Sequence, residues 1–322
     1  MRTRKLGASG IEVSPLCLGG NVFGWTADES TSFAILDALV ESGFNFIDTA
    51  DVYSRWVPGH VGGESETIIG KWFGRSGNRD KVVIATKVGM EMGPGAKGLS
   101  KPYICKAIED SLRRLRTDYV DLYQAHKDDP DTAPEETLEA FAELVRQEKV
   151  RAIGASNYHA PRLEAALRAS DQHGYPRYVS LQPHYNLYDR EGYESELEPV
   201  CVANGLAVIP YFSLAKGFLT GKYRSEADLS KSPRGEGVKK YLDERGMRIL
   251  AALDDVAQKL HSTPGKVALA WLLTRPSITA PIASATSVDQ LRDLVDGVRL
   301  QLDVDSRELL DQASAWQTVP AD

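Results

Sequence analysis

The sequence predicts an α/β protein, a (β/α)8 TIM barrel with an N-terminal β-hairpin and extended loops at its mouth. Three observations lead there. Strand-like apolar runs start near residues 44, 82, 119, 152, 178 and 206, with helical patterns between them, and these spacings of 26–38 residues suit successive βαβ units. The runs are near-continuously apolar rather than alternating, as in a parallel sheet covered by helices. Three successive segments each end on a titratable group: Asp48 after Phe44-Asn45-Phe46-Ile47, Lys87 after residues 82–86 and His126 after 119–125, with Tyr53 five positions past Asp48. A parallel barrel gathers the C-terminal strand ends at one mouth, where catalytic groups collect. An enzyme is the expectation.

The elements follow in order. Residues 2–6, the glycine-bounded stretch 7–10 and Ile11-Glu12-Val13 read as a hairpin ahead of the repeat. Residues 15–18 form a first buried strand with an exit turn at Gly19-Gly20. Residues 26–43 place Phe33, Ile35, Leu36, Leu39 and Val40 at helical spacing and end on Gly43, a suitable C-cap. Helical patterns then occupy 64–74, 101–117, 135–147, 161–169 and 194–204, and a further one spans 266–274 before an eighth strand at 279–283. Pro281 is awkward there because it lacks a ladder donor. Residues 90–98 and 217–246 read as loops inserted in one barrel, the longer of a length used for lids and binding walls. With no Pro/Gly/Ser linker between two halves, one domain over residues 1–322 is expected.

Composition narrows the function classes. The chain has 322 residues, 42% of them hydrophobic, enough for a full core. A net charge of -7 offers no general attraction to nucleic acid or anionic lipid, though a local basic pocket for a phosphorylated ligand is compatible with it. Cys17, Cys105 and Cys201 are widely spaced and form no CxxC or metal-ligand pattern, which fits a reducing compartment. No apolar run has the 18 or more residues of a membrane span. A soluble cytoplasmic protein without nucleic-acid or membrane partners is expected. A doubly wound dinucleotide fold is disfavoured, since neither Gly19-Gly20 nor Gly62-Gly63 completes a G-x-G-x-x-G turn.

The four polar residues suit one chemistry. A tyrosine at its ordinary pKa near 10 is a poor acid at neutral pH, and a neighbouring ammonium favours the phenolate. Asp48 would orient Lys87 and keep it charged, and His126 would donate to a substrate oxygen or assist proton transfer. The set serves a reaction in which negative charge grows on oxygen and a proton arrives, as in carbonyl reduction. No metal is needed, and no histidine–carboxylate cluster suggests one.

Several motifs carry a resemblance. Asp48-Thr49-Ala50-Asp51-Val52-Tyr53, Gly63-Glu64-Ser65-Glu66, Ala85-Thr86-Lys87 and Tyr123-Gln124-Ala125-His126-Lys127-Asp128-Asp129 resemble those of the aldo-keto reductases. So do Ile153-Gly154-Ala155-Ser156-Asn157 and Val179-Ser180-Leu181-Gln182-Pro183-His184-Tyr185-Asn186, and the likeness runs from residue 2 to about residue 312. It implies a barrel that binds NADP(H), with NAD(H) or dual use as the alternative, and that reduces a small carbonyl substrate. Tyr53 would be the general acid in a tetrad with Asp48, Lys87 and His126. The family also contains cofactor-binding regulatory subunits of potassium channels, which leaves a redox-sensing module as the alternative function.

The same resemblance implies cofactor contacts. Ser156, Asn157 and Gln182 would hold the nicotinamide carboxamide, and Tyr211 would stack on its ring. Ser213, Leu214, Gly217, Leu219, Gly221 and Lys222 would wrap the pyrophosphate. Ser284, Thr286, Ser287 and Gln290 occupy the run that usually grips the adenosine 2′-phosphate. Here the chain departs from the family's pattern, which often has lysine or arginine in this run: neither lies between Ile282 and Leu291, and Leu294 stands at the usual asparagine position. Trp25 and Trp56 are candidates either for an aromatic wall of the substrate site or for packing under a surface loop, with Tyr185 and Tyr188 as further wall candidates.

Overall fold

The computed structural model describes residues 3–233 and 235–316. The expected domain ends, Arg2 of the hairpin and Arg234 of the long loop lie outside these residues. Eight parallel strands form one sheet in the order β10-β3-β4-β5-β6-β7-β8-β9, where β3 is Cys17–Gly19, β4 Phe46–Asp48, β5 Val83–Val88, β6 Val120–Ala125, β7 Val150–Ser156, β8 Tyr178–Gln182, β9 Ala207–Val208 and β10 Ile282–Ala283. Backbone hydrogen bonds from Thr279 N to Val208 O at 2.8 Å and from Ile282 N to Pro210 O at 2.9 Å close the seam between the last two strands. The sheet is therefore the expected (β/α)8 barrel. Pro281 is accommodated because its carbonyl accepts from Cys17 N at 3.0 Å, while the strand's own ladder starts one residue later.

The two strands before the barrel, β1 (Arg4–Lys5) and β2 (Glu12–Val13), pair antiparallel as the expected hairpin. It plugs the barrel's interior. Leu6, Ile11 and Val13 are buried in one apolar cluster with Phe46, Val83, Leu122 and Ile282, side chains of four different barrel strands. The hairpin tip needs glycine: Gly7 has φ 54°, and a Cβ there would lie 2.2 Å from Val179 O.

Helices α1 (Glu29–Glu41), α2 (Glu64–Ser76), α3 (Lys101–Leu115), α4 (Pro134–Arg146) and α5 (Ala160–His173) match the helical patterns of the sequence. Asp28 caps α1 by accepting from Thr31 N, and proline in the first turn starts α3, α4 and α5. The 194–204 pattern divides into a π-helical turn, Tyr193–Leu197, that runs into α6 (Glu198–Ala203). The second and larger apolar cluster fills the layer between helices and strands.

Three helices are not evident as patterns in the sequence reading. They are α7 (Glu244–Lys259), α9 (Val288–Arg299) and α10 (Val304–Ala313), flanking α8 (Pro264–Thr274). The expected 217–246 loop ends early because Gly246 belongs to the first turn of α7, pressed against the carbonyl of Tyr241. Its remainder, three 3-10 segments at Ala215–Thr220, Glu226–Lys231 and Gly235–Tyr241, folds over the mouth. Among the described residues, no helix is long and apolar enough to cross a membrane.

Candidate active site

The C-terminal ends of β4, β5 and β6 bring Asp48, Lys87 and His126 together, and the turn after β4 returns Tyr53 above them. An ammonium has three donors. Those of Lys87 go to Asp48 Oδ2 at 2.7 Å, Thr49 O at 2.8 Å and Tyr53 Oη at 2.7 Å. The phenol of Tyr53 in turn donates to Asp48 Oδ2 at 2.9 Å. Asp48 and Lys87 are fully buried, so the carboxylate and the ammonium satisfy each other beneath the cavity floor. Gln182 Nε2 donates to the other oxygen, Asp48 Oδ1, at 2.8 Å and fixes the carboxylate plane. The tetrad expected from sequence is one contiguous cluster.

His126 closes the cluster on the cavity side, its ring centroid 6.1 Å from that of Tyr53. Burial first, then the positive charges of Lys87 and Lys127, push its pKa well below the ordinary histidine value, so the imidazole is neutral at physiological pH. Its Nδ1 is buried and meets no protein hydrogen-bond partner.

The Gly63-Glu64-Ser65-Glu66 motif braces the cluster from behind. Ser65 Oγ donates to Gly20 O at 2.8 Å and lies 2.8 Å from Thr49 Oγ1, tying α2 to the ends of β3 and β4. Buried Glu66 accepts from Thr86 Oγ1 at 2.5 Å and from Arg114 Nε at 2.7 Å, linking α2, β5 and α3. Nearby Asp51 is buried, and neither carboxylate oxygen has a hydrogen-bond partner. Burial and then the Glu66 charge push its carboxyl up to about 8, with Arg114 pulling the other way.

Tyr53 and His126 face a cavity of about 870 Å³, at the upper part of the usual range of roughly 300–1,000 Å³ for ligand sites. Eleven of the residues expected to touch a cofactor line it: Ser156, Asn157, Gln182, Tyr211, Ser213, Leu214, Gly217, Lys222, Ser284, Thr286 and Gln290. Asn157 sits at φ 55° just past β7, where the left-handed turn costs an asparagine little. Its side chain donates to His126 O at 2.9 Å and accepts from Tyr211 Oη at 2.8 Å. His184 stacks behind Tyr211, with centroids 5.2 Å apart and planes within 12°.

Leu219, Gly221 and Ser287 are not on the cavity wall. Leu219 is fully buried in the core, Gly221 closes the 3-10 turn at φ 80°, and Ser287 Oγ caps α9 by accepting from Gln290 N at 3.2 Å. Each answers a structural need that a motif cannot distinguish from ligand contact. The aromatic expectation divides likewise. Trp56 lines the cavity, 6.1 Å from Tyr53, and Trp25 stands edge-on to it at 5.7 Å. Tyr185 is buried against Tyr193 and Trp271 and donates to Glu194, and Tyr188 donates to Asp243 Oδ2, so neither faces the cavity.

The wall also holds residues that the sequence motifs do not single out. Asn21 accepts from Ser284 Oγ at 2.6 Å and joins β3's exit turn to β10. Lys216 and Lys231 come from the long mouth loop, and Lys266 from α8. Phe212, Ala215, Lys216 and Gly217 all have positive φ, from 47° to 98°. Strain held by non-glycine residues clusters at binding sites, and such a turn points backbone N–H groups into a concavity suited to an anion. With Lys216 and Lys222 on the wall and the polar ends of β7 and β8 nearby, the residues present fit an anionic dinucleotide. Among the described residues, no group of three or more His, Cys, Asp or Glu is placed to hold a metal ion.

A barrel with hydrogen-bonded Asp48, Lys87 and Tyr53 at its strand ends and an anion-suited cavity above them is the framework of an enzyme site. A model of the aldo/keto reductase family matches residues 15–315. The chain is 38% identical over 313 residues to the uncharacterized oxidoreductase YrpG of Bacillus subtilis, covering 95% of this chain and 93% of that one. It is 32% identical over 346 residues to the protein Tas of Escherichia coli, with full coverage of both, and 30% identical over 324 residues to norsolorinic acid reductase of Aspergillus flavus, covering 96% and 80%. The chain belongs to the aldo/keto reductase family.

Proposed function

We propose that this protein reduces an aldehyde or ketone with a hydride from NADPH, Tyr53 acting as the general acid. The observation that carries the reading is the 2.7 Å contact from Lys87 Nζ to the phenol of Tyr53, under a cavity large enough for cofactor and substrate. The bound cofactor supplies the hydride. Tyr53 directs its O–H to the carbonyl oxygen in place of Asp48, and Lys87 stabilises the phenolate that remains. Neutral His126 donates a second hydrogen bond to the same oxygen, and its lack of charge keeps it from competing with Lys87 for the phenolate. Ser156, Asn157 and Gln182 orient the nicotinamide, Tyr211 stacks on it with His184 behind, and the left-handed segment around Lys216 receives the pyrophosphate. Trp56, backed edge-on by Trp25, forms an aromatic wall that favours aryl or alkyl carbonyls over sugars. Free cysteines at 17, 105 and 201 agree with a cytoplasmic setting.

Tyr53→Phe tests the assignment. Turnover across a panel of carbonyl compounds is expected to fall by at least about 100-fold, while NADPH binding by fluorescence titration is unchanged. Retention of turnover within about threefold of the wild type would remove Tyr53 from the chemistry.

A further inference from the structure

This inference rests on the reading that the cavity holds a nicotinamide dinucleotide with its adenosine end where β10 leads into α9. The closing run from Ile282 to Leu291 brings no cation to that end. The fold brings one from elsewhere. Lys266, in the first turn of α8, lines the cavity together with Thr286, Gln290 and Asp293. The two helices meet at the backbone there, since a Cβ on Gly297 of α9 would lie 3.0 Å from Lys266 Cα. That contact fixes the lysine stem beside α9. Arg292, the nearest basic residue in sequence, is 69% exposed, pairs with Asp289 at 3.1 Å and is not on the wall.

Lys266 Nζ lies 2.8 Å from Asp293 Oδ1 and 3.4 Å from Asp296 Oδ2. The two aspartates are 64% and 60% exposed, whereas the lysine is 20% exposed. Ion pairs with such exposed partners are weak and screened by water. A phosphate dianion entering the cavity is a stronger acceptor for the same ammonium. Gln290 Oε1 is already taken by Thr286 N and Oγ1, at 2.9 and 3.1 Å, so the glutamine presents its N–H donors to a ligand.

We propose that Lys266 recognises the 2′-phosphate of NADP(H), exchanging Asp293 and Asp296 for the phosphate. It thereby replaces, from a different helix, the cation that the closing run lacks. Asp293 opposes the exchange and tempers the preference for NADPH over NADH.

The experiment is a fluorescence titration of wild type, Lys266→Gln and Asp293→Asn with NADPH and with NADH. Lys266→Gln is expected to weaken NADPH about tenfold and leave NADH unchanged, because a hydrogen-bonded charge pair is lost only for the phosphorylated ligand. Asp293→Asn, at an exposed position that folding tolerates, is expected to tighten NADPH by about threefold and leave NADH unchanged. Equal shifts for both cofactors, or no shift for either variant, would overturn the assignment while leaving cofactor binding intact. If neither cofactor binds the wild-type protein, the underlying functional reading falls as well.

Discussion

Removing the ammonium of Lys87 measures how far the buried cluster is a mutual arrangement. In Lys87→Met the Asp48 carboxylate stays fully buried and keeps donors from Tyr53, Gln182 and, at 3.5 Å, Gln124, but loses its counter-charge. Breaking a buried ion pair by deleting one partner costs about 3–5 kcal/mol. The remaining donors place this case near the lower end, at about 3 kcal/mol. A domain with about 5–15 kcal/mol of stability still folds after such a loss. Asp48→Asn combined with Lys87→Met removes both charges, and it should recover about 2 kcal/mol relative to the sum of the single variants. Equilibrium urea unfolding of the four proteins in the cycle, followed by far-UV circular dichroism, gives the coupling directly. The reasoning is refuted if Lys87→Met costs less than about 1 kcal/mol, or if the single costs simply add.

Two pH predictions follow from groups near the same site. His126 is held neutral by burial and by Lys87, so the unfolded chain takes up a proton there before the folded protein does. Its contribution to stability is therefore lost as pH falls below the ordinary histidine value of about 6.5. His126→Asn should flatten the acid side of a stability–pH curve, and an unchanged slope would contradict this. Asp51 has the opposite sign: with its folded carboxyl up at about 8, the folded state holds a proton that the unfolded state has released. Stability referred to this group is complete near pH 4 and declines as pH rises toward about 8, by up to ~1.4 kcal/mol per pH unit. Asp51→Asn should gain thermal stability over wild type at pH 8 and lose that advantage near pH 4; a gain independent of pH would show that Asp51 is not protonated in the folded protein.

Much of this arrangement is legible in the chain because parallel barrels couple position to role. A polar residue that ends an apolar run must arrive at the mouth, and for that reason Asp48, Lys87 and His126 can be recognised before any coordinate exists. The eight strands are legible for the same reason. What escapes is set by contacts between distant segments. Lys266 looks like an ordinary first-turn lysine, and only the packing of α8 on α9 brings it to the cavity. Asn21 follows a glycine pair in a turn, and its tie to Ser284 spans most of the chain. Leu219 and Ser287 show the reverse case, in which a core leucine and a helix cap sit inside a stretch whose motif resembles a ligand-binding one. Helix α7 is hidden by Gly246, whose place in its first turn is dictated by the approach of Tyr241.

The hairpin that plugs the barrel imposes an order on how the protein can be made. Arg4 Nη1 donates to Ile278 O at 2.7 Å, and the turn at Gly7 rests on Val179, so the hairpin docks on segments translated much later. Leu6, Ile11 and Val13 leave the ribosome before the strands that bury them, the last of which carries Ile282. Completion waits for the seam between residues 208–210 and 278–282, which joins the last strand to the rest of the barrel. A nascent chain halted before that seam would display these three side chains to chaperones, however well its first helices had formed.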